Sequence, residues 1–125
     1  NMLKKINQWI QIRNKNFKKF IEIQRKFKEE FLITYNKNMS SFVFPFLMKN
    51  KKTKNALEIY LNKNGIETRP FIAGNLLRQP FLKNFKKNKF KNSDFIEFNS
   101  FYIGNNQFVN EARLKKLEKL LRNFF

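Results

Sequence analysis

Apolar residues recur at three- and four-residue steps through the first thirty positions. Leu3, Ile6, Ile10, Phe17, Phe20, Ile21, Phe27 and Phe31 mark one stripe, with a single seven-residue gap, and Lys15, Lys18, Lys19, Arg25 and Lys26 fall between them. That period predicts one long amphipathic helix over residues 2–31 with its basic residues in solvent. Trp9 sits at the edge of the stripe, a packing position. Tyr35, Asn36, Asn38 and two nearby serines predict a loop over 32–40. The run SFVFPFLM, residues 41–48, has almost no polar alternation and predicts a strand buried on both faces. Pro45 has no N–H to give to a ladder, so this strand belongs at a sheet edge or is bulged.

The helical period returns over residues 53–64, where Ala56, Leu57, Tyr60 and Leu61 make one face and Thr53 can cap the start. Gly65 is placed to end this helix in the left-handed conformation. A strand is predicted over 66–72. From residue 73 to 92 the pattern dissolves into AGNLLRQPFLKNFKKNKFKN, a loop or short helix over the surface. Residues 94–98 read as a short strand or turn, and FYIG at 101–104 as a last strand. Asn110 then caps a final helix striped by Leu114, Leu117, Leu120, Leu121 and Phe124. The order α-β-α-β-(β)-β-α predicts an α+β fold, helices packed on a small, mainly antiparallel sheet, with residues 1–125 as one domain and 1–31 as its long connecting helix.

Composition narrows the chemistry. In 125 residues there is no Cys and no His. Disulfide scaffolds, Cys-based zinc sites and thiol nucleophiles are excluded, and a Ser-His-Asp arrangement cannot be assembled from this chain alone. The longest apolar run, 42–48, is far short of the roughly 20 residues of a membrane-spanning helix. Polar residues interrupt the N-terminal segment too often for a signal peptide, so a cytoplasmic location is expected.

The charge pulls in another direction. Lys plus Arg is 27 against 9 acidic residues, a formal charge of +18. Such an excess on a small chain raises nucleic acid as a partner, and the stretch Lys83–Lys91, which mixes Phe with Lys, suits a single strand. Only six of the basic residues are Arg, whereas nucleic-acid surfaces lean on Arg for bidentate and stacking contacts. Lys, Asn, Ile and Phe, all abundant here, share A- and T-rich codons, so the charge also fits an AT-rich genome without any selected partner. Nucleic acid is therefore the alternative reading.

The segment GIETRPFIAGNLLRQP, residues 65–80, is more particular than composition requires. It resembles the C-terminal domain of the DegT/DnrJ/StrS family of pyridoxal-phosphate-dependent sugar aminotransferases. Its Ala-Gly-Asn and Arg-Gln-Pro elements look most like the sugar-nucleotide 3-dehydratase branch of deoxysugar and lipopolysaccharide synthesis. Three further segments follow the family in order: LKKINQWIQIRNKNF (3–17) as the long helix after the cofactor domain, SSFVFPFL (40–47) as the following strand, and NSDFIEFNSFYIGNN (92–106) as the segment before the last helix. The likeness reaches only the family's final third.

The resemblance implies the small C-terminal domain of a fold-type-I enzyme, homodimeric when complete and using pyridoxal or pyridoxamine phosphate on a nucleotide-linked keto-sugar. The phosphate-binding turn, the Asp that meets the pyridine nitrogen and the Schiff-base Lys, replaced by His in the dehydratases, belong to the part this chain does not match. By itself the chain is expected to be inactive and to bind no cofactor. It is expected to expose an apolar face made for the large domain.

Within that frame, Arg69 is a candidate for a phosphate or carboxylate of the substrate, or a structural ion pair with Glu67 or Glu97. Ala73-Gly74-Asn75 is either a close backbone approach to a sugar or a tight turn in which Asn75 caps the next segment. Phe71 precedes that turn and can pack on the sugar. Arg78 is a candidate for the nucleotide diphosphate, or an exposed surface arginine.

Overall fold

The computed structural model describes residues 2–32, 40–72, 74–85 and 89–125. The elements are helix α1 (Met2–Arg25), strand β1 (Val43–Leu47), helix α2 (Lys51–Lys63), strand β2 (Arg69–Pro70), two 3-10 segments (Leu76–Arg78 and Pro80–Phe85), helix α3 (Lys91–Asn99), strand β3 (Ser100–Gly104) and helix α4 (Glu111–Phe124). The architecture is α+β. The three strands form one antiparallel sheet in the order β1-β3-β2.

The core is built mainly from Phe and Leu, with Ile21, Ile23, Ile103 and Met48 among them. Phe46 is fully buried and stacks flat on Phe101, its partner across β1 and β3, at 4.6 Å between centroids. Phe20 stacks on Phe44 at 4.6 Å and meets Phe46 edge-on at 5.2 Å, joining the second half of α1 to the sheet. Leu57 and Leu61 of α2 and Leu114, Leu117 and Leu121 of α4 close the other side.

Pro45 lies in β1, an edge strand, opposite Tyr102. Its carbonyl points away from β3 and accepts a 3.0 Å hydrogen bond from Gln24 Nε2, so the missing N–H falls on the side where no ladder bond is lost. Gly65 ends α2 with φ +76°, and Asn110 caps α4 by accepting from the Arg113 N–H at 3.0 Å.

Five expectations are corrected. The first helix stops at Arg25, not residue 31, because the chain must turn for Phe31 to bridge Met48 and for the Glu30 carbonyl to accept from the Lys49 N–H. The α2 cap is Asn50, whose Oδ1 accepts from the Lys52 and Thr53 N–H groups at 2.8 and 3.2 Å, so Thr53 is inside the helix. The strand expected over 66–72 is only two residues long, since Asn62 takes the Thr68 N–H and hydroxyl away from the sheet. Residues 94–98 are helical, within α3, rather than strand or turn. Strand β1 is buried on one face only, through Phe44 and Phe46, while Val43, Pro45 and Leu47 on its other face are half-buried. The expected loop at 33–39, Ala73 of the turn and residues 86–88 of the Lys83–Lys91 run lie outside the described residues.

Candidate functional site

Strand β2 and the segment that joins it to α3 carry the candidate residues, and the structure sorts them into two groups. Gly74, Asn75 and Arg78 are drawn together against α3. Arg69 and Phe71 lie instead beside β3: Arg69 pairs with Tyr102 in the sheet, and the Phe71 ring meets the Tyr102 ring edge-on at 6.4 Å.

The α3 group is tightly connected. Asn75 is buried and caps the first 3-10 segment, its Oδ1 accepting from the Leu77 N–H at 3.1 Å. Asn75 Nδ2 donates to Asp94 Oδ1 at 2.8 Å, and the Asn75 backbone N–H donates to Glu97 Oε2 at 3.1 Å. Arg78 completes the arrangement, with Nη2 2.9 Å from Asp94 Oδ1 and Nε 2.9 Å from Glu97 Oε2. Its guanidinium lies over the Phe98 ring at 4.7 Å, and Lys51 Nζ of α2 lies over the same ring at 4.4 Å. The Asn75 amide, followed by the Arg78 guanidinium, holds the Asp94 carboxyl below the usual carboxylate range, and Asp94 in turn raises Arg78. Asp94 and Glu97 are three residues apart on a helix and so share a face. Sequence reasoning missed Asp94 and weighed Glu97 only as a partner of Arg69. The available signal was that acidic residues are scarce here, yet these two stand at helical spacing.

Gly74 is required where it stands. Its φ is +54°, and a Cβ there would lie 2.9 Å from Cγ and Cδ of Glu97. The Phe71 carbonyl accepts from the Gly74 N–H at 3.2 Å, which closes the turn. Of the two ion-pair partners considered for Arg69, Glu67 is the one it meets, at 2.5 Å and with both side chains largely exposed; Glu97 goes to Arg78. A separate open cleft of about 450 Å³ lies between Gly65–Glu67, the end of β3 and the start of α4. It holds none of the five candidate residues.

The family model of the DegT/DnrJ/EryC1/StrS aminotransferases matches residues 1–118. The chain belongs to this family. It is 30% identical over 129 aligned positions to the GDP-4-keto-6-deoxy-D-mannose 3-dehydratase of Escherichia coli O55:H7, covering 96% of this chain and 32% of that protein. It is 31% identical to the lipopolysaccharide biosynthesis protein RfbH of Salmonella typhimurium, over 82% of this chain and 25% of the other. The solved E. coli GDP-4-keto-6-deoxy-D-mannose 3-dehydratase with bound hydrated pyridoxal phosphate superposes with a TM-score of 0.80 at 26% identity, over 95% of this chain and 32% of that one. The chain thus spans about a third of the relatives it matches. Fold and family both agree with what the four sequence segments implied.

A pyridoxal phosphate needs a carboxylate for its ring nitrogen and a cluster of donors for its phosphate. Asp94 and Glu97 form the acidic pair beside the candidate turn, and both are engaged by Asn75 and Arg78. The turn's Asn75 N–H is already taken by a carboxylate. The groups around the candidate turn therefore do not fit the cofactor. No helix among them is long and apolar enough to cross a membrane.

Proposed function

We propose that this chain is the C-terminal, substrate-cleft part of a pyridoxal-phosphate-dependent sugar-nucleotide enzyme, a 3-dehydratase or aminotransferase of deoxysugar and surface-polysaccharide synthesis. The observation that carries this reading is a match over nearly the whole chain, in sequence to a GDP-keto-sugar 3-dehydratase and in fold to that enzyme holding its cofactor. In this reading the cofactor, pyridoxal or pyridoxamine phosphate, is held by the preceding two thirds of a complete enzyme, which works as a cytoplasmic homodimer. This part is inactive alone. The cofactor carries the electron-sink chemistry, and the C-terminal part grips the substrate and keeps water out. Residues 69–78 form its wall: Arg69 meets phosphate or carboxylate, Phe71 packs on the sugar, and Gly74, Asn75 and Arg78 shape the turn beside them. The exposed stripe Leu3, Ile6 and Ile10 supports a large domain packing on α1.

The test is a titration of the isotopically labelled chain with GDP, followed by amide chemical shifts. Shifts confined to residues 69–78 are expected. Their absence there argues against the substrate wall. The second reading, single-strand binding through Lys83–Lys91, is favoured by the exposure of Phe85 and Phe90 beside lysines. It predicts oligothymidylate binding whose affinity falls steeply with salt, with shifts in that run.

A further inference from the structure

We propose that Asp94 and Glu97 of α3 are positioning residues for the substrate-facing segment 69–78: together they latch its turn and hold Arg78 against α3 with its charge countered by two carboxylates. This rests on the reading of that segment as a substrate wall.

The geometry is doubly redundant. Each carboxylate bridges the same two residues. Asp94 Oδ1 accepts from Asn75 Nδ2 and Arg78 Nη2, while Glu97 Oε2 accepts from the Asn75 backbone N–H and Arg78 Nε. Asn75 stands where the turn begins its 3-10 segment and Arg78 where that segment ends, so the four bonds fix both ends of one short element. In a chain with three times as many basic as acidic residues, two acids on one helical turn converge on a single arginine. Charge-assisted hydrogen bonds of this kind are the stronger class.

The turn and the latch are also built against each other. Gly74 has no Cβ, and the stem of Glu97 occupies the space a Cβ would need. Phe98, one residue further along α3, carries the Arg78 guanidinium on its ring together with Lys51, which ties the same arginine to the start of α2. Arg78 itself stays about half exposed, with its Nε and Nη2 turned to α3.

The consequence concerns what can recognise a ligand. An anion reaching the remaining N–H groups of Arg78 meets a cation already countered by two carboxylates, and a hydroxyl reaching the Asn75 amide must open a buried contact. Arg69 has one ion pair, with Glu67 two residues away in solvent, and Phe71 is more than a third exposed. Arg69 and Phe71, outside the latch, are thus the freer groups of the segment, and Arg78 the one whose charge is already countered.

Nuclear magnetic resonance of the full 125-residue chain tests this. In Glu97→Ala, hydrogen exchange at the Asn75 amide is expected to rise about tenfold or more, and the Arg78 Nε–H signal to move to the position of a free guanidinium. The amides of Phe101 and Leu121 should keep their protection, and Glu97→Gln should retain part of the Asn75 protection. Unchanged exchange and an unchanged Arg78 signal in Glu97→Ala overturn the proposal. Should that variant lose protection throughout, Asp94→Ala removes only the bonds to Asn75 Nδ2 and Arg78 Nη2: moved Asn75 side-chain amide and Arg78 Nη2 signals over a protected core support the latch, and unmoved ones overturn it. GDP titration separates the two layers. In Glu97→Ala the GDP-induced shifts should spread to Arg78, which supports the positioning role, and shifts distributed as in the unaltered chain refute it. If GDP shifts no amide of 69–78 in the unaltered chain while the exchange result holds, the substrate reading and the positioning role fall together and α3 is only a fold element.

Discussion

Alanine at Gly74 should be the costliest of the three possible glycine substitutions, for a reason that can be measured separately. Two effects add there. A non-glycine residue in the left-handed region costs about 1–2 kcal/mol, and Gly74 has φ +54°. The new Cβ would also lie 2.9 Å from Glu97 Cγ and Cδ and 3.1 Å from its Oε1. Glu97 can retreat only by giving up the Asn75 N–H and Arg78 Nε. Overpacking of that kind adds about 1–3 kcal/mol, for a total of about 2–5 kcal/mol. Gly65 separates the terms: its φ is +76° but the nearest atom to a Cβ is Lys116 Nζ at 3.9 Å, so Gly65→Ala should cost only the backbone part, about 1–2 kcal/mol. Gly104 has neither a positive φ nor any atom within 4 Å, so alanine there should be neutral or stabilise by up to about 1 kcal/mol. Urea unfolding followed by far-ultraviolet circular dichroism gives the three values. Repeating Gly74→Ala in a Glu97→Ala background isolates the contact, and its cost should fall to about 1–2 kcal/mol there. The same cost in both backgrounds, or a Gly65→Ala cost equal to that of Gly74→Ala, would refute the argument.

Two further outcomes follow from the core and the ion pairs. Phe46→Ala removes a fully buried ring stacked on Phe101 and edge-on to Phe20 and Phe31, and should cost about 3–5 kcal/mol in urea unfolding; a loss under about 1.5 kcal/mol contradicts the packing described. The Glu118 carboxyl is held below its ordinary range by the Lys26 ammonium and then by Arg122. Its folded pKa lies below the unfolded one, so its contribution is complete above about pH 4.3 and is lost as pH falls through the depressed value. The gap in urea midpoint between the unaltered chain and Glu118→Gln should therefore close between neutral and strongly acid pH, and a gap independent of pH contradicts the pairing.

Local signals were read well where local physics decides. Gly65 had to end a helix, Asn110 had to start one, and Pro45 had to avoid a ladder; all three follow from backbone chemistry a few residues wide. The leucine stripe of α4 is periodic enough to place its buried face. What escaped was settled over long range. The helix at Lys91–Asn99 has a weak apolar face and no side-chain cap, and its acidic residues find partners 16 to 22 positions earlier. The long first helix ends without a Gly or Pro because Phe31 is needed beside Met48. The candidate site was legible as a segment, through its likeness to a family, and not as a mechanism of positioning. Arg78 looked like a free cation in the sequence because Asp94 and Glu97 are distant in the chain.

We propose that this chain is the back third of a cofactor-dependent sugar-nucleotide enzyme. The most direct measurement is the intact mass of the native polypeptide, captured from source cells with an antibody raised against these 125 residues. A polypeptide roughly three times as long, as coverage of a third of the relatives implies, carrying a pyridoxal-phosphate absorbance, is the predicted result. A native product of 15.3 kDa without the cofactor would contradict the account.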